Sequence, residues 1–169
     1  MEIKKDRKQP MEMTFEQAFR KLSALCARGE HCQYEMLEKM RRWGVDESVQ
    51  AKVMERLVNE HYIDDTRYAT AFVHDKVVYN KWGRKKVEQA LRMKRIDQDV
   101  IEQALDAVDV EDYIEKLAPL IRQKLRSTKA KNDYERNMKV MKWALSRGYT
   151  MDVIRQCMSV TDDADEFLD

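Results

Sequence analysis

Four glycines and two prolines in 169 residues are too few for a β-protein, whose tight turns draw heavily on both. The glycines are also dispersed, at Gly29, Gly44, Gly83 and Gly148, so no glycine-rich loop can converge its N–H groups on a nucleotide phosphate, and no nucleotide cofactor is expected. The three cysteines, Cys26, Cys32 and Cys157, are odd in number and lack a framework spacing, which argues for reduced thiols and against a disulfide scaffold. No apolar run approaches the roughly 20 residues of a membrane span, and the charged start at 1–8 has no apolar stretch behind it. A cytoplasmic chain without membrane contact is expected. An excess of one charge is missing as well, with 32 basic against 31 acidic residues and a formal net charge of +1. The balance is uneven, because 162–169 holds five acids and no base, leaving 32 bases against 26 acids, or +6, in residues 1–161.

What is present is helix. Charged residues make up 37% of the chain and hydrophobic ones 43%, a mixture suited to amphipathic helices. Gly44, Arg95 and Gly148 each follow an amphipathic stretch where a helix should stop. One residue later come Val45, Ile96 and Tyr149, and two later Asp46, Asp97 and Thr150, which can cap a new helix. Val49, Val100 and Val153, then Val53, Ala104 and Cys157, then Met54, Leu105 and Met158 continue one helical face after each stop. Before each stop, Met40, Leu91 and Ala144 lie four residues back and Met36, Val87 and Val140 eight back. Thr14 and Asp65 precede their stops by equal distances and are read as caps of a further helix, continued by Ala18 with Leu22 and by Ala69 with Val73.

The pattern predicts an all-α protein of three tandem three-helix repeats, forming an elongated, curved, solenoid-like body. The expected helices cover 14–28, 33–43 and 46–60, then 65–79, 84–93 and 97–108, then 110–127, 133–147 and 150–159. A flexible N-terminal tail is expected over 1–13, the repeats over 14–61, 62–109 and 110–160, and an acidic C-terminal tail over 161–169. Pro119 lacks an N–H, and its ring would strike the carbonyl of Glu115, so a kink or break is expected in the helix over 110–127.

Catalytic constellations are absent from the pattern, and no catalytic residue or metal ligand is assigned. Cys26, His31 and Cys32 match no usual zinc spacing, and Cys26 continues the apolar face of Phe15, Phe19 and Leu22. His74 has no partner nucleophile, and Asp64 and Asp65 are read through capping at Asp65. The abundant methionines fall mostly on inward stripes. The basic clusters remain. Lys81, Arg84, Lys85 and Lys86 open the second helix of the middle repeat beside Trp82, and Arg92, Lys94 and Arg95 close it. Arg41 and Arg42 occupy the corresponding end in the first repeat, while Lys124 and Arg126 belong to a basic run in the third. On a shared face these residues would suit a phosphate backbone or an acidic protein groove.

The segment Leu57 to Ala69, followed by Phe72 and Val73, resembles the most recognisable stretch of the RecX family, as does Trp82 to Val87 continuing through Leu91 and Ile96. The likeness extends over about 14 to 158, with Arg95 standing where the family pattern has glycine. The resemblance implies a bacterial regulator that binds the RecA filament on DNA and restrains its ATPase, strand-exchange and coprotease activities in recombination, DNA repair and the SOS response; a monomer is expected. The contact residues expected from charge placement are those basic clusters, touching RecA and single- or double-stranded DNA phosphates. The competing reading is a stand-alone helix-turn-helix-like DNA-binding protein, for which Gln50 and Gln98 would have to supply base-reading side chains.

Overall fold

In the computed structural model the described residues are 12–166, with side chains described over 12–159. The expected N-terminal tail lies outside them except for residues 12 and 13, as do residues 167–169 of the expected acidic tail. Nine α-helices and no strand occur among the described residues: α1 (Phe15–Cys26), α2 (Gln33–Arg42), α3 (Glu47–Asn59), α4 (Asp65–Val78), α5 (Arg84–Met93), α6 (Gln98–Asp106), α7 (Val110–Ser127), α8 (Asp133–Ser146) and α9 (Met151–Glu166). None of them is long and apolar enough to cross a membrane. The chain forms two compact units, residues 1–68 and 69–169.

The first unit packs α1, α2 and α3 around Ala18, Leu22, Met36, Met40, Val53 and Leu57. Their spacing along each helix is the inward stripe read from the sequence, and the half-buried Cys26 packs against the same core. Thr14 closes α1 with a full capping box, in which Gln17 N–H donates to the Thr14 hydroxyl and Gln17 Oε1 accepts from Thr14 N–H. Asp46 caps α3 by accepting from Ser48 N–H. Burying side chains such as Leu22 and Leu57 contributes about 1.5–3 kcal/mol each.

In the second unit Val87, Leu91, Ile101, Leu105, Leu117, Ile121, Val140 and Ile154 are buried. Helix α7 runs unbroken through Pro119, contrary to the expected break. Pro119 and Glu115 both face solvent. Water can therefore donate to the Glu115 carbonyl in place of the N–H that Pro119 lacks, and the bulk of the proline ring lies on the exposed side of the helix. Helix α9 continues to Glu166, so the acidic stretch expected as a tail begins inside a helix.

All three predicted stops adopt the left-handed conformation, with φ of +70° at Gly44, +53° at Arg95 and +89° at Gly148. Arg95 thus does with an L-residue what glycine does in the flanking repeats. Two capping expectations need correction. The start of α4 is closed by Asp64, whose Oδ1 accepts from the N–H groups of Thr66 and Arg67. Asp65 turns away and accepts from Gln33 N–H at the start of α2, 32 residues earlier in the chain. Asp97 occupies the N-cap of α6 but makes no capping bond through its side chain.

Candidate functional site

The start of α5 brings most of the predicted basic residues of the middle repeat to one place. Gly83 N–H donates to the Arg147 carbonyl at 2.8 Å and Lys85 N–H to the Gly148 carbonyl at 3.0 Å, so the end of α8 seals the start of α5. The approach is so close that a Cβ on Gly83 would overlap the backbone of Gly148 and Tyr149, and one on Gly148 would overlap Lys86. Tyr149 donates its hydroxyl hydrogen to the Lys81 carbonyl at 2.7 Å, and Arg147 Nη2 donates to the carbonyls of Asn80 and Lys81. Burial pushes the Tyr149 hydroxyl up to about 12, so it stays protonated as a donor. Lys81 itself is held at φ +55°, a conformation fixed by these bonds to its carbonyl.

Three cations, Arg84, Lys85 and Lys86, fill the first turn of α5, and no acid is present there. Each of the other eight helices carries at least one acid in its first turn. Cations at a helix N-terminus oppose the macrodipole, at a cost of about 0.3–1 kcal/mol each. The carbonyls at the end of α8 offset part of it. Arg84 is paired with Asp106 at 2.7 Å, Lys86 lies over the Trp82 ring at 4.5 Å, and Lys76 lies over the same ring at 4.9 Å. Lys85 is exposed and has no acidic partner within reach among the described residues. Because α8 carbonyls occupy the N–H groups of Gly83 and Lys85, an anion here would meet ammonium and guanidinium groups and not a backbone cradle.

The other predicted contact residues are scattered over both units and differ in freedom. In the first unit Arg41 is paired with Glu38 at 3.0 Å, whereas Arg42 is exposed without an acidic partner within reach among the described residues. Arg92 is held by Glu88 at 2.7 Å and by Gln98 at 3.0 Å. Lys94 is half-buried and Arg95 exposed at the end of α5. Lys124 lies over the Trp143 ring at 4.9 Å, and Arg126 is exposed nearby on α7. Sequence reasoning missed Arg147, which lies 5.5 Å over Trp143 while bonding the turn before α5. The carbonyls it bonds are more than 60 residues away, so no local signal marks that role.

Beside Arg84 a groove of about 600 Å³ is lined by Tyr113, Tyr149, Val153 and Arg155 among others. Its lining contains neither histidine nor cysteine, and burial raises the pKa of the Tyr113 hydroxyl. Among the described residues no three His, Cys, Asp or Glu side chains converge as a metal would require. The base-reading candidates of the competing interpretation are committed elsewhere. Gln50 is 7% exposed and donates to the Val45 carbonyl, while Gln98 bonds Glu102 and accepts from Arg92.

Fold and site together define a helical-repeat protein with a backbone-sealed glycine junction beside a cationic helix start. Family models described as the second and third three-helix domains of RecX match residues 64–105 and 111–158. The chain is 30% identical over 139 residues to the regulatory protein RecX of Vibrio campbellii, covering 82% of this chain and 88% of that one. A regulatory protein RecX of Clostridium botulinum, strain Eklund 17B, is 32% identical over 120 residues, covering 70% and 56%. The crystal structure of RecX from Lactobacillus salivarius superposes with a TM-score of 0.80 at 19% identity, covering 88% of this chain and 96% of that one, a likeness of fold. The chain belongs to the RecX family of regulatory proteins.

Proposed function

We propose that the chain regulates the RecA recombinase by binding its filament on DNA and restraining ATP hydrolysis, strand exchange and coprotease activity, without chemistry of its own. Membership of the RecX family supports the partner, and the first turn of α5 carries the physical argument. A helix start that stacks three cations against its own dipole is locally unfavourable, and such departures from local consistency gather at functional surfaces. Lys85, exposed and without an acidic partner among the described residues, is the side chain best placed to meet a phosphate or an acidic protein group. Arg42, Lys94 and Arg126 extend the set of candidates, while Arg41, Arg84 and Arg92 must first exchange an acidic partner. The protein acts in the cytoplasm, where RecA filaments assemble.

The test follows DNA-dependent ATP hydrolysis by RecA with and without this protein, beside mobility shifts on bare DNA. Inhibition below one protein per RecA protomer, with weak bare-DNA binding, is the expected result. Tight binding to bare DNA with no effect on RecA would sink the proposal. Lys85→Glu combined with Lys86→Glu should weaken inhibition by roughly tenfold, corresponding to about 1.4 kcal/mol.

A further inference from the structure

Helix α8 carries a second apolar stripe that is only partly covered. Val140 and Ala144 face inward, but Tyr134, Met138, Met141 and Leu145, spaced four, three and four residues apart, line another side of the helix. Tyr134 is 76% exposed, Leu145 40% and Met138 38%, while Met141 is half-buried. Single exposed apolar residues are ordinary, whereas three exposed ones in helical register over three turns, with the half-buried Met141 between them, make a continuous apolar face open to solvent. The surroundings are cationic: 128–147 contains six bases and two acids, a net of +4. Lys139 is paired with Glu135 at 3.3 Å, and Lys142, beside the stripe, has no acidic partner within reach among the described residues.

We infer that this face of α8 receives an amphipathic helix with acidic flanks, presented by the protein component of the filament and not by its DNA. The inference rests on the filament reading above and assigns protein contact to a surface different from the α5 cluster. A phosphate backbone would use the lysines but would leave Met138 and Leu145 in water. An amphipathic helix removes those side chains from water by helix-in-groove docking and sets carboxylates against Lys142. The arrangement separates two kinds of recognition in one unit, with salt-dependent phosphate contact at α5 and packing-dependent protein contact at α8.

The test uses the full chain with Tyr134→Lys and Met138→Lys together, both on exposed positions. Binding to preformed RecA filaments on oligo(dT) should weaken at least tenfold, roughly the loss of one interface anchor, while bare oligo(dT) binding stays within about twofold. The melting midpoint should stay unchanged within about 2 °C. If the variant melts early, Lys142→Glu, which alters charge alone, should give the same selective loss. Filament binding within about twofold of the parent, or an equal loss on bare DNA, overturns the assignment. A parent dimer in sedimentation velocity that the variant abolishes overturns it too, giving the stripe to self-association. A parent chain that never engages filaments overturns the filament reading and this inference together, whereas a variant that keeps filament binding overturns only the α8 assignment.

Discussion

The second helices of the first two repeats begin at Gln33 and at Arg84, 51 residues apart, and neither is closed by its own N-cap side chain. Cys32 and Gly83 stand at the equivalent caps, and both helices borrow their closure from distant chain. At α2 the donor Gln33 N–H finds a carboxylate, Asp65, and Glu35 adds another acid in the first turn. At α5 the donors Gly83 N–H and Lys85 N–H find two backbone carbonyls, and the first turn holds Arg84, Lys85 and Lys86. Each helix start has free N–H groups and a partial positive charge to satisfy. When an acidic side chain does so, the local field turns acidic. When the carbonyl end of another helix does so, the same turn is left free to carry cations. The positive site therefore sits where two glycines let the backbones touch.

The comparison breaks first at the glycines. Gly83→Ala places a methyl group into the backbone of Gly148 and Tyr149, and neither can retreat without losing the Gly83 to Arg147 bond. The expected cost is about 3 kcal/mol or more, read as a large fall in the thermal or urea midpoint. Gly148→Ala adds the penalty of a left-handed alanine to its overlap with Lys86 and should be at least as severe. By contrast, Gly29→Ala meets open space and should change the midpoint little. Equal tolerance at Gly29 and Gly83 would contradict the sealed junction.

A smaller effect is expected where a side chain provides the closure. Asp65→Ala removes one acceptor from Gln33 N–H, which is worth about 1–2 kcal/mol. Cys32 reports the event locally, since it is buried at this cap and burial holds its thiol up to about 11, slowing alkylation at neutral pH. Asp65→Ala should accelerate Cys32 labelling by roughly 5–30-fold, the ratio that 1–2 kcal/mol of easier opening gives. Gly83→Ala should leave Cys32 protected and expose Cys157, which is buried in the second unit with its thiol likewise held up to about 11. The sign at alkaline pH is the same for both thiols. Their raised values favour the neutral folded form, so stability is constant below about 9 and declines as pH rises toward 11, while unfolded thiols ionise.

Much of this architecture is legible in the sequence because helices write their pattern locally. The inward stripes through Met36 and Met40, through Val87 and Leu91 and through Val140 and Ala144 need only neighbours three or four residues away, and all six side chains are buried. The three stops were legible for the same reason, and Arg95 kept its place despite lacking glycine's freedom. What was hidden depends on chain far away. Asp65 reads as a cap, but which helix it caps is decided by a fold that brings Gln33 to it. Gly83 and Gly148 read as separate turn residues, and only their juxtaposition shows why neither can carry a side chain. Pro119 reads as a breaker because sequence does not reveal that its side of α7 faces water. The basic clusters were legible as composition, but not the pairing that commits Arg84 to Asp106 and leaves Lys85 without an acidic partner among the described residues.

The smallest expected effect concerns Arg95, because stability and charge pull in opposite directions there. Its φ of +53° matches Gly44 and Gly148 in hand, and a left-handed L-residue costs about 1 kcal/mol or more. Arg95→Gly should then stabilise the second unit by about 0.5–1 kcal/mol, read as a higher midpoint in urea. If Arg95 also meets phosphate, the same change should lower the slope of log affinity against log salt on DNA by about 0.7–0.9, one phosphate contact. A gain in stability with an unchanged slope would make Arg95 a purely local departure at a turn. A gain in stability with a shallower slope would mean that a strained cation is kept at the end of α5, as unfavourably charged ones are kept at its start. That outcome would extend the cationic site along the whole helix, and it would separate α5 further from α2, whose last turn holds Lys39, Arg41 and Arg42 before a glycine that carries no strain.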